Sequence, residues 1–317
     1  MVVLRLLMAA LVPLMAACAP TVASAASSAS CPPATGIVLQ VLGSGGPIAD
    51  DARASSGYLV WVDGMAKVMI DAGGGTFLRF GESGAKFADL DFIGLSHFHT
   101  DHSADFPALL KSGSFAARKR SLTVAGPGGG GPFPGLNAFL ESMLSKEHGA
   151  YGYLSAYLDG SGRLPVIDSV EVSIDKTDAV TVYGSDQDRM QIDALPVPHG
   201  IVPALSFKVR LGDSSIVFAS DQNGGNDGFI EFAQGASVLV MHMVVPEGVS
   251  GTGRRLHAPP SVIGSIAQEA GVDTLVLSHL MARSLRNLDD NMAIIKRHFD
   301  GHVVLANDLD CIITTEF

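Results

Sequence analysis

Short apolar runs recur along this chain too closely for anything but a sheet-based fold. Segments 36–42, 57–62, 66–71, 91–95, 121–125, 191–197, 204–210, 214–219, 237–241, 273–278 and 302–305 read as strands. Between them, 104–111, 135–145, 260–270 and 288–298 carry helical spacing. In 260–270, Val262, Ile263, Ile266, Ala267 and Ala270 recur at three- and four-residue steps, and Gly271 closes the segment as a C-cap. Strands interleaved with helices, without an internal repeat or long linker, predict one α/β domain over 36–317. Hydrophobic residues make up 47% and charged residues 17%, which supplies a large core and excludes a disordered or fibrous chain. Glycine, 36 of 317 residues, exceeds the usual ~7% and suits many tight turns. The low-complexity stretch from Gly126 to Pro132 reads as a mobile loop.

Residues 1–25 have the form of an export signal. Arg5 is the one charge, 6–17 are apolar, and Ala23-Ser24-Ala25 offers a cleavage site. The apolar stretch falls short of the roughly 20 residues a membrane span needs. Met15-Ala16-Ala17-Cys18 reads alternatively as a lipoprotein box, with Cys18 lipidated, although Leu14 lies one residue too early. The protein is therefore expected outside the cytoplasm, periplasmic or secreted, soluble or lipid-anchored at Cys18. Residues 26–35 form a flexible lead-in. Cys31 and Cys311, near opposite ends of the mature chain, are placed either to pair in an oxidising compartment or to remain free thiols. No C-x-x-C occurs, which argues against a thiolate zinc site or thioredoxin-type motif. Lys plus Arg is 21 against 32 for Asp plus Glu, a net charge of −11. That balance repels phosphate backbones and argues against extended nucleic-acid binding.

The most informative stretch is 96–106, Ser-His-Phe-His-Thr-Asp-His-Ser-Ala-Asp-Phe, directly after the apolar run 91–95. It sits at the C-terminal mouth of a strand, where α/β sites form. Alternate residues of an extended chain point the same way, so His97 and His99 reach one metal ion. The turn that follows aims Asp101 and His102 at a second. Imidazole and carboxylate donors suit Zn²⁺, with Fe or Mn as substitutes. Three further donors share one feature, a place just past an expected strand: His199 after 191–197, Asp221 after 214–219 and His279 after 273–278.

H-x-H-x-D-H followed by His, Asp and His resembles the metallo-β-lactamase superfamily. The resemblance spans roughly 36–310. It implies a four-layer αβ/βα sandwich with a dinuclear site. His97, His99 and His199 would hold one metal, Asp101, His102 and His279 the other, and Asp221 would bridge them. Within the superfamily the chain resembles the ribonuclease Z branch. The shared features are the Gly-rich loop after strand 36–42, Ser55-Ser56, Ile70-Asp71-Ala72-Gly73, Gly126-Pro127-Gly128-Gly129, His257 ahead of a helix and Arg283 after the last ligand. It departs where that branch carries His-Glu-Ala and this chain has His242-Met243-Val244. No tRNA-binding arm fits between His199 and Asp221.

The resemblance implies an exported hydrolase of a phosphodiester or similar anionic ester, with hydroxide generated on two metals as nucleophile. Exported arylsulfatases and cyclic-nucleotide phosphodiesterases are the natural comparison. Asp101, Asp221 and His257 form the implied catalytic set. Asp221 would accept a hydrogen bond from the nucleophile, and His257 would protonate the leaving oxygen or stabilise the oxyanion. Arg283 would bind a second anionic oxygen of the substrate. An arylsulfatase, a lactonase or a β-lactamase would use the same site, the last disfavoured by Asp221. A non-catalytic metal-binding protein would be expected to lack a ligand, and none is missing. A small anionic ester is the expected partner, and the sequence leaves a homodimer open.

Other residues carry two readings. Asp71 either braces a ligating histidine or caps a turn, and His242 either lines the site or is structural. Gly43-Ser44-Gly45-Gly46 is a tight turn rather than a dinucleotide fingerprint, because Ile48 occupies the last glycine position. His148, His298 and His302 read as surface or structural residues, and Phe98 and Phe106 as packing. No G-x-S-x-G nucleophile motif occurs.

Overall fold

The computed structural model describes residue 31 and residues 35–185 and 189–314. The expected export signal, including Cys18, lies outside the described residues. Two seven-stranded sheets form the centre of the molecule. The first contains β1 (Ile37–Gly43), β2 (Gly57–Val62), β3 (Met65–Ile70), β4 (Phe92–Gly94), β5 (Leu122–Pro127) and β6 (Ile167–Val172) in spatial order. The second holds β7 (Val180–Ser185), β8 (Met190–His199), β9 (Val202–Leu211), β10 (Ser214–Phe218), β11 (Val238–His242), β12 (Thr274–Ser278) and β13 (His302–Leu305), again in spatial order. The chain then returns to the first sheet, where β14 (Cys311–Ile313) pairs antiparallel with β1. A disulfide joins Cys31 to Cys311 on that strand.

Helices close both outer faces. They are α1 (Thr76–Glu82), α2 (Thr100–Ser103), α3 (Phe106–Gly113), α4 (Leu136–Leu144) and α5 (Ala156–Asp159) in the first half. In the second half they are α6 (Gly228–Ala233), α7 (Gly251–Leu256), α8 (Pro260–Glu269), α9 (Ala282–Leu285) and α10 (Leu288–His298). Strand side chains alternate between faces, so each sheet feeds two cores. Leu39 and Val41 meet Phe207, Phe218 and Val276 between the sheets. Leu59, Met69 and Ile93 face outward onto Phe106, Leu110 and Leu140 of α3 and α4. Leu239, Leu275 and Leu277 do the same against Phe229, Ile263 and Ile295. Phe92 and Phe207 pack edge-on across the gap between the sheets, with ring centres 6.0 Å apart. Each such buried side chain contributes about 1.5–3 kcal/mol relative to leaving it in water. The result is the four-layer αβ/βα sandwich.

Every strand expected from the sequence is present within a residue or two, and the four expected helices form. Three strands have no counterpart in that reading: β6, β7 and β14. All three lie at sheet edges. Most of their residues are exposed or half-buried, so no continuous apolar run marks them. The loop expected from Gly126 to Pro132 begins later, because Gly126 and Pro127 pair with Glu171 and Val172 as the end of β5.

The topology positions the site. Strands β3 to β6 are mutually parallel, as are β10 to β13. Asp71, His97, Asp221 and His279 all lie just past the C-terminal ends of such strands, and His242 ends β11. His199 is the last residue of β8, in a hairpin closed by Gly200 and Ile201.

Candidate metal centre

The sequence 96–103 folds as a turn into α2, with His99 extended at its N-cap. His97, Asp101 and His102 are buried, and His99 is half-buried at the mouth. His97 Nε2 lies 3.0 Å from His99 Nδ1, and the His199 ring is 5.1 Å from that of His97. One ring nitrogen from each of these three histidines falls within 4.8 Å of the others. A second group gathers His102, Asp221, His242 and His279 in the same way, and a third gathers His199, Asp221 and His257.

Asp221 stands between the groups. Its Oδ2 is 3.5 Å from His199 Nε2 and 3.9 Å from His102 Nε2. Its Oδ1 is 3.5 Å from His279 Nε2. Asp101 Oδ2 lies 3.2 Å from His279 Nε2 and 3.6 Å from His102 Nε2.

Several rings are fixed from behind. His102 Nδ1 donates to Asp71 Oδ2 at 2.7 Å, and Asp71 also accepts from the Ser96 backbone N–H and hydroxyl. This resolves the two readings of Asp71 in favour of the brace. It leaves His102 Nε2 buried, without a hydrogen bond and aimed at the carboxylates. His199 Nδ1 donates to the Leu256 carbonyl at 3.0 Å, freeing its Nε2 toward Asp221. His242 has both nitrogens engaged, Nδ1 on Asp221 Oδ1 at 2.7 Å and Nε2 at 3.1 Å from the Tyr58 hydroxyl. It therefore orients Asp221 rather than presenting a free donor. The Tyr58 hydroxyl also lies 2.8 Å from the Ser278 hydroxyl, next to His279.

The backbone is strained where it aims these groups. Asp71 (φ 58°), Ser220 (φ 60°) and His279 (φ 55°) all occupy the left-handed region, which L-residues adopt at a cost of order 1–3 kcal/mol. Gly46 allows the approach of His279. A Cβ at Gly46 would lie 2.6 Å from His279 Cε1 and 2.7 Å from its Nδ1.

The electrostatics follow from burial and crowding. Desolvation and neighbouring imidazoles push His97 well below the usual histidine range and also lower His99. Burial opposes the charged form of His102, but Asp71, Asp221 and Asp101 outweigh it and raise the ring to about 9. Burial alone would raise Asp101, yet the His279 hydrogen bond and the His102 ring bring it down to about 2. Asp221 is held well below the ordinary carboxylate range by His279, His242, His257 and His102, against its own desolvation. Desolvation lowers His242 to about 4, despite the bond to Asp221, and His257 to about 3. The carboxylates of Asp101 and Asp221, with the imidazole nitrogens that face them, His102 Nε2 (buried and without a hydrogen bond), His199 Nε2 and His279 Nε2, form a donor set that fits divalent cations.

His257, at the C-cap of α7, places its ring 5.3 Å from that of His199 and its Nδ1 3.9 Å from Asp221 Oδ1. Arg283 is brought to α9, where its side chain is exposed and forms no described contact with these groups. His148, His298 and His302 are exposed, Phe106 is buried, and Phe98 stacks on Phe139. The sequence reading missed Tyr58, Ser96, Ser278 and the role of Gly46. Only the Gly-Ser-Gly-Gly run carried a signal, since it marks a backbone that must pass close to something.

Residues 50–260 match the family described as the metallo-beta-lactamase superfamily. The chain belongs to the metallo-β-lactamase superfamily. Among relatives, ribonuclease Z of Mycobacterium marinum is 29% identical over 285 residues, covering 86% of this chain and 97% of the relative. Among solved structures, the metallo-β-lactamase fold protein YhfI from Bacillus subtilis superposes with a TM-score of 0.65 at 22% identity, covering 87% of this chain and 99% of that one. The short form of human tRNase Z gives 0.66 at 18% identity, covering 88% and 100%. These structural likenesses bear on the fold alone.

Proposed function

We propose that this protein is a metal-dependent hydrolase of phosphoesters, and specifically a dinuclear enzyme acting on a small phosphodiester or related anionic ester. The observation that carries this reading is the place of Asp221, whose two oxygens face His199 on one side and the His102, Asp101 and His279 group on the other. His97, His99 and His199 would hold one ion and Asp101, His102 and His279 the other, with Asp221 shared. Zinc suits the donors best, and iron or manganese are substitutes. When bound, such a pair supplies Lewis acidity toward the phosphoryl oxygens and an acidified water as nucleophile.

The chain's own residues do the rest. Asp71 holds the His102 ring and its tautomer, and the Leu256 carbonyl does the same for His199. His242 and Tyr58 fix the carboxylate of Asp221, which then accepts a hydrogen bond from the attacking water. Because burial keeps His257 neutral, it serves as a hydrogen-bond donor to the leaving oxygen or the developing oxyanion rather than as a charged acid. The exposure of Arg283 assigns it at most to the outer part of the substrate.

Relatives named ribonuclease Z act within the same framework, but the hairpin between β8 and β9 is closed by two residues and the chain is acidic. A small ester therefore fits better than a long polynucleotide. Export is part of the same proposal, supported by the character of residues 1–25 and by the Cys31–Cys311 disulfide. The test is metal content together with turnover of bis-p-nitrophenyl phosphate, p-nitrophenyl sulfate, a lactone and a cephalosporin. Preference for the phosphodiester, abolished by chelator and restored by zinc, is expected. Preference for the sulfate or lactone would replace the substrate class and keep the site.

A further inference from the structure

An open cleft of about 670 Å³ lies beside the metal centre and has His199 as part of its wall. Three segments enclose it: Ile174 to Asp178 between β6 and β7, the β8–β9 hairpin turn, and Gly225 to Gly228 leading into α6. Much of its lining is apolar, with Ile174, Pro198, Ile201 and Pro203 among the contributors. Ile201 is 76% exposed at the tip of the hairpin, two residues after His199. A single exposed isoleucine is ordinary. Several apolar side chains converging beside a cluster of polar donors are the form of a ligand site.

The walls are held in place. The Asn226 side-chain amide donates to the Pro196 carbonyl at 2.7 Å and its oxygen accepts from the Gly228 backbone at 2.9 Å. The Asn223 backbone donates to the Pro198 carbonyl at 3.0 Å. Ile174 and Pro203 both pack within 3.1 Å of where a Cβ on Gly130 would stand.

Position and charge define the occupant. His257 neighbours His199, and the Leu256 carbonyl accepts from the His199 ring. His199 is the one residue that borders both the cleft and the metal centre, and the His257 ring stands 5.3 Å from it on the other side. Lys176 is the one ammonium group in the lining, which also carries the carboxylates of Asp178 and Asp227. The lining thus offers no net positive charge for a second phosphate.

We propose that this cleft is the leaving-group subsite and that it selects an uncharged aryl or alkyl alcohol. The inference rests on the hydrolase reading above. Water supplies hydroxide to phosphorus, the bond from phosphorus to the leaving oxygen breaks, and the remaining proton ends on the released alcohol. The cleft receives that alcohol.

Methyl-labelled isoleucine NMR on the zinc-loaded full chain tests the site without turnover. Addition of p-nitrophenol should shift the Ile174 and Ile201 methyl signals, and uridine 5′-monophosphate at equal concentration should not. Ile201→Asp should raise KM for bis-p-nitrophenyl phosphate about tenfold, the equivalent of about 1.4 kcal/mol. Leu78→Asp, a matching change at an exposed residue of α1, should leave KM where it was. Shifts produced by the nucleotide but not by the phenol would overturn the proposal in favour of a polynucleotide. Shifts from neither ligand would overturn it outright. Phenol shifts without turnover of any ester would uphold the subsite and remove the hydrolase reading instead.

Discussion

Replacing Gly46 by alanine perturbs the metal centre through a single methyl group. The added Cβ would stand 2.6 Å from His279 Cε1 and 2.7 Å from Nδ1, where carbon contacts prefer about 3.5–4.0 Å. The ring must retreat by about 1 Å. Its surroundings resist, because His242 and His102 lie with ring centres 4.7 and 5.3 Å away. Overpacking of this kind costs about 1–3 kcal/mol. Displaced supporting geometry at a metal site lowers affinity about 10–100-fold, or about 1.4–2.7 kcal/mol. Zinc titration against a chromophoric chelator should therefore show one of two binding events weakened by that factor. The zinc-induced gain in Tm should shrink accordingly, because stabilisation by a ligand follows the ratio of its concentration to Kd. Gly81→Ala, whose Cβ meets nothing within 4 Å, is the control and should leave both events unchanged. Unaltered zinc affinity in Gly46→Ala would refute the assignment of His279 to the centre.

Other consequences follow from the same geometry. Asp71→Asn should weaken metal binding about 10–100-fold by disturbing the tautomer and orientation of His102, read in the same titration. His257→Ala should slow esters of poor leaving groups more than p-nitrophenyl esters, and equal losses on both would reject its role at the leaving oxygen. The metal-free protein should be most stable near neutral pH. His97, His242 and His257 have folded values below the ordinary histidine value of about 6.5, so stability falls as pH drops below that value. His102 is raised to about 9, so its contribution is full below about 6.5 and is lost as pH rises through 9. Urea unfolding at pH 5, 7 and 9 in chelator checks this, and a steady gain toward pH 5 would contradict it. Cys31→Ser, which opens a loop of 280 residues, should lower stability by about 2–4 kcal/mol and leave metal content unchanged.

Much of the site was legible because ligands at strand ends leave a sequence signature. An apolar run stops and a histidine or aspartate follows, as at Leu95 to His97 and at Leu277 to His279. What supports them was not legible. Tyr58 reaches His242 and Ser278 across the gap between the sheets, 184 and 220 residues away in sequence, and inside β2 it reads as one more core aromatic. Gly46 matters only because another segment passes close to it. Edge strands β6, β7 and β14 lack apolar runs because they are partly solvated, and α7 has no buried residue to impose helical spacing. Asp71 was open between two readings until its distance to His102 was known. The cleft beside His199 depends on three loops that only the fold brings together.

The proposed chemistry requires two ions that share Asp221. Anomalous diffraction at the zinc edge from crystals of the zinc-loaded protein measures this directly. Two peaks about 3.5–4 Å apart are expected. One should lie among His97, His99 and His199, the other among Asp101, His102 and His279, with Asp221 between them. A single peak, or two peaks that Asp221 does not touch, would contradict a dinuclear centre shared through Asp221.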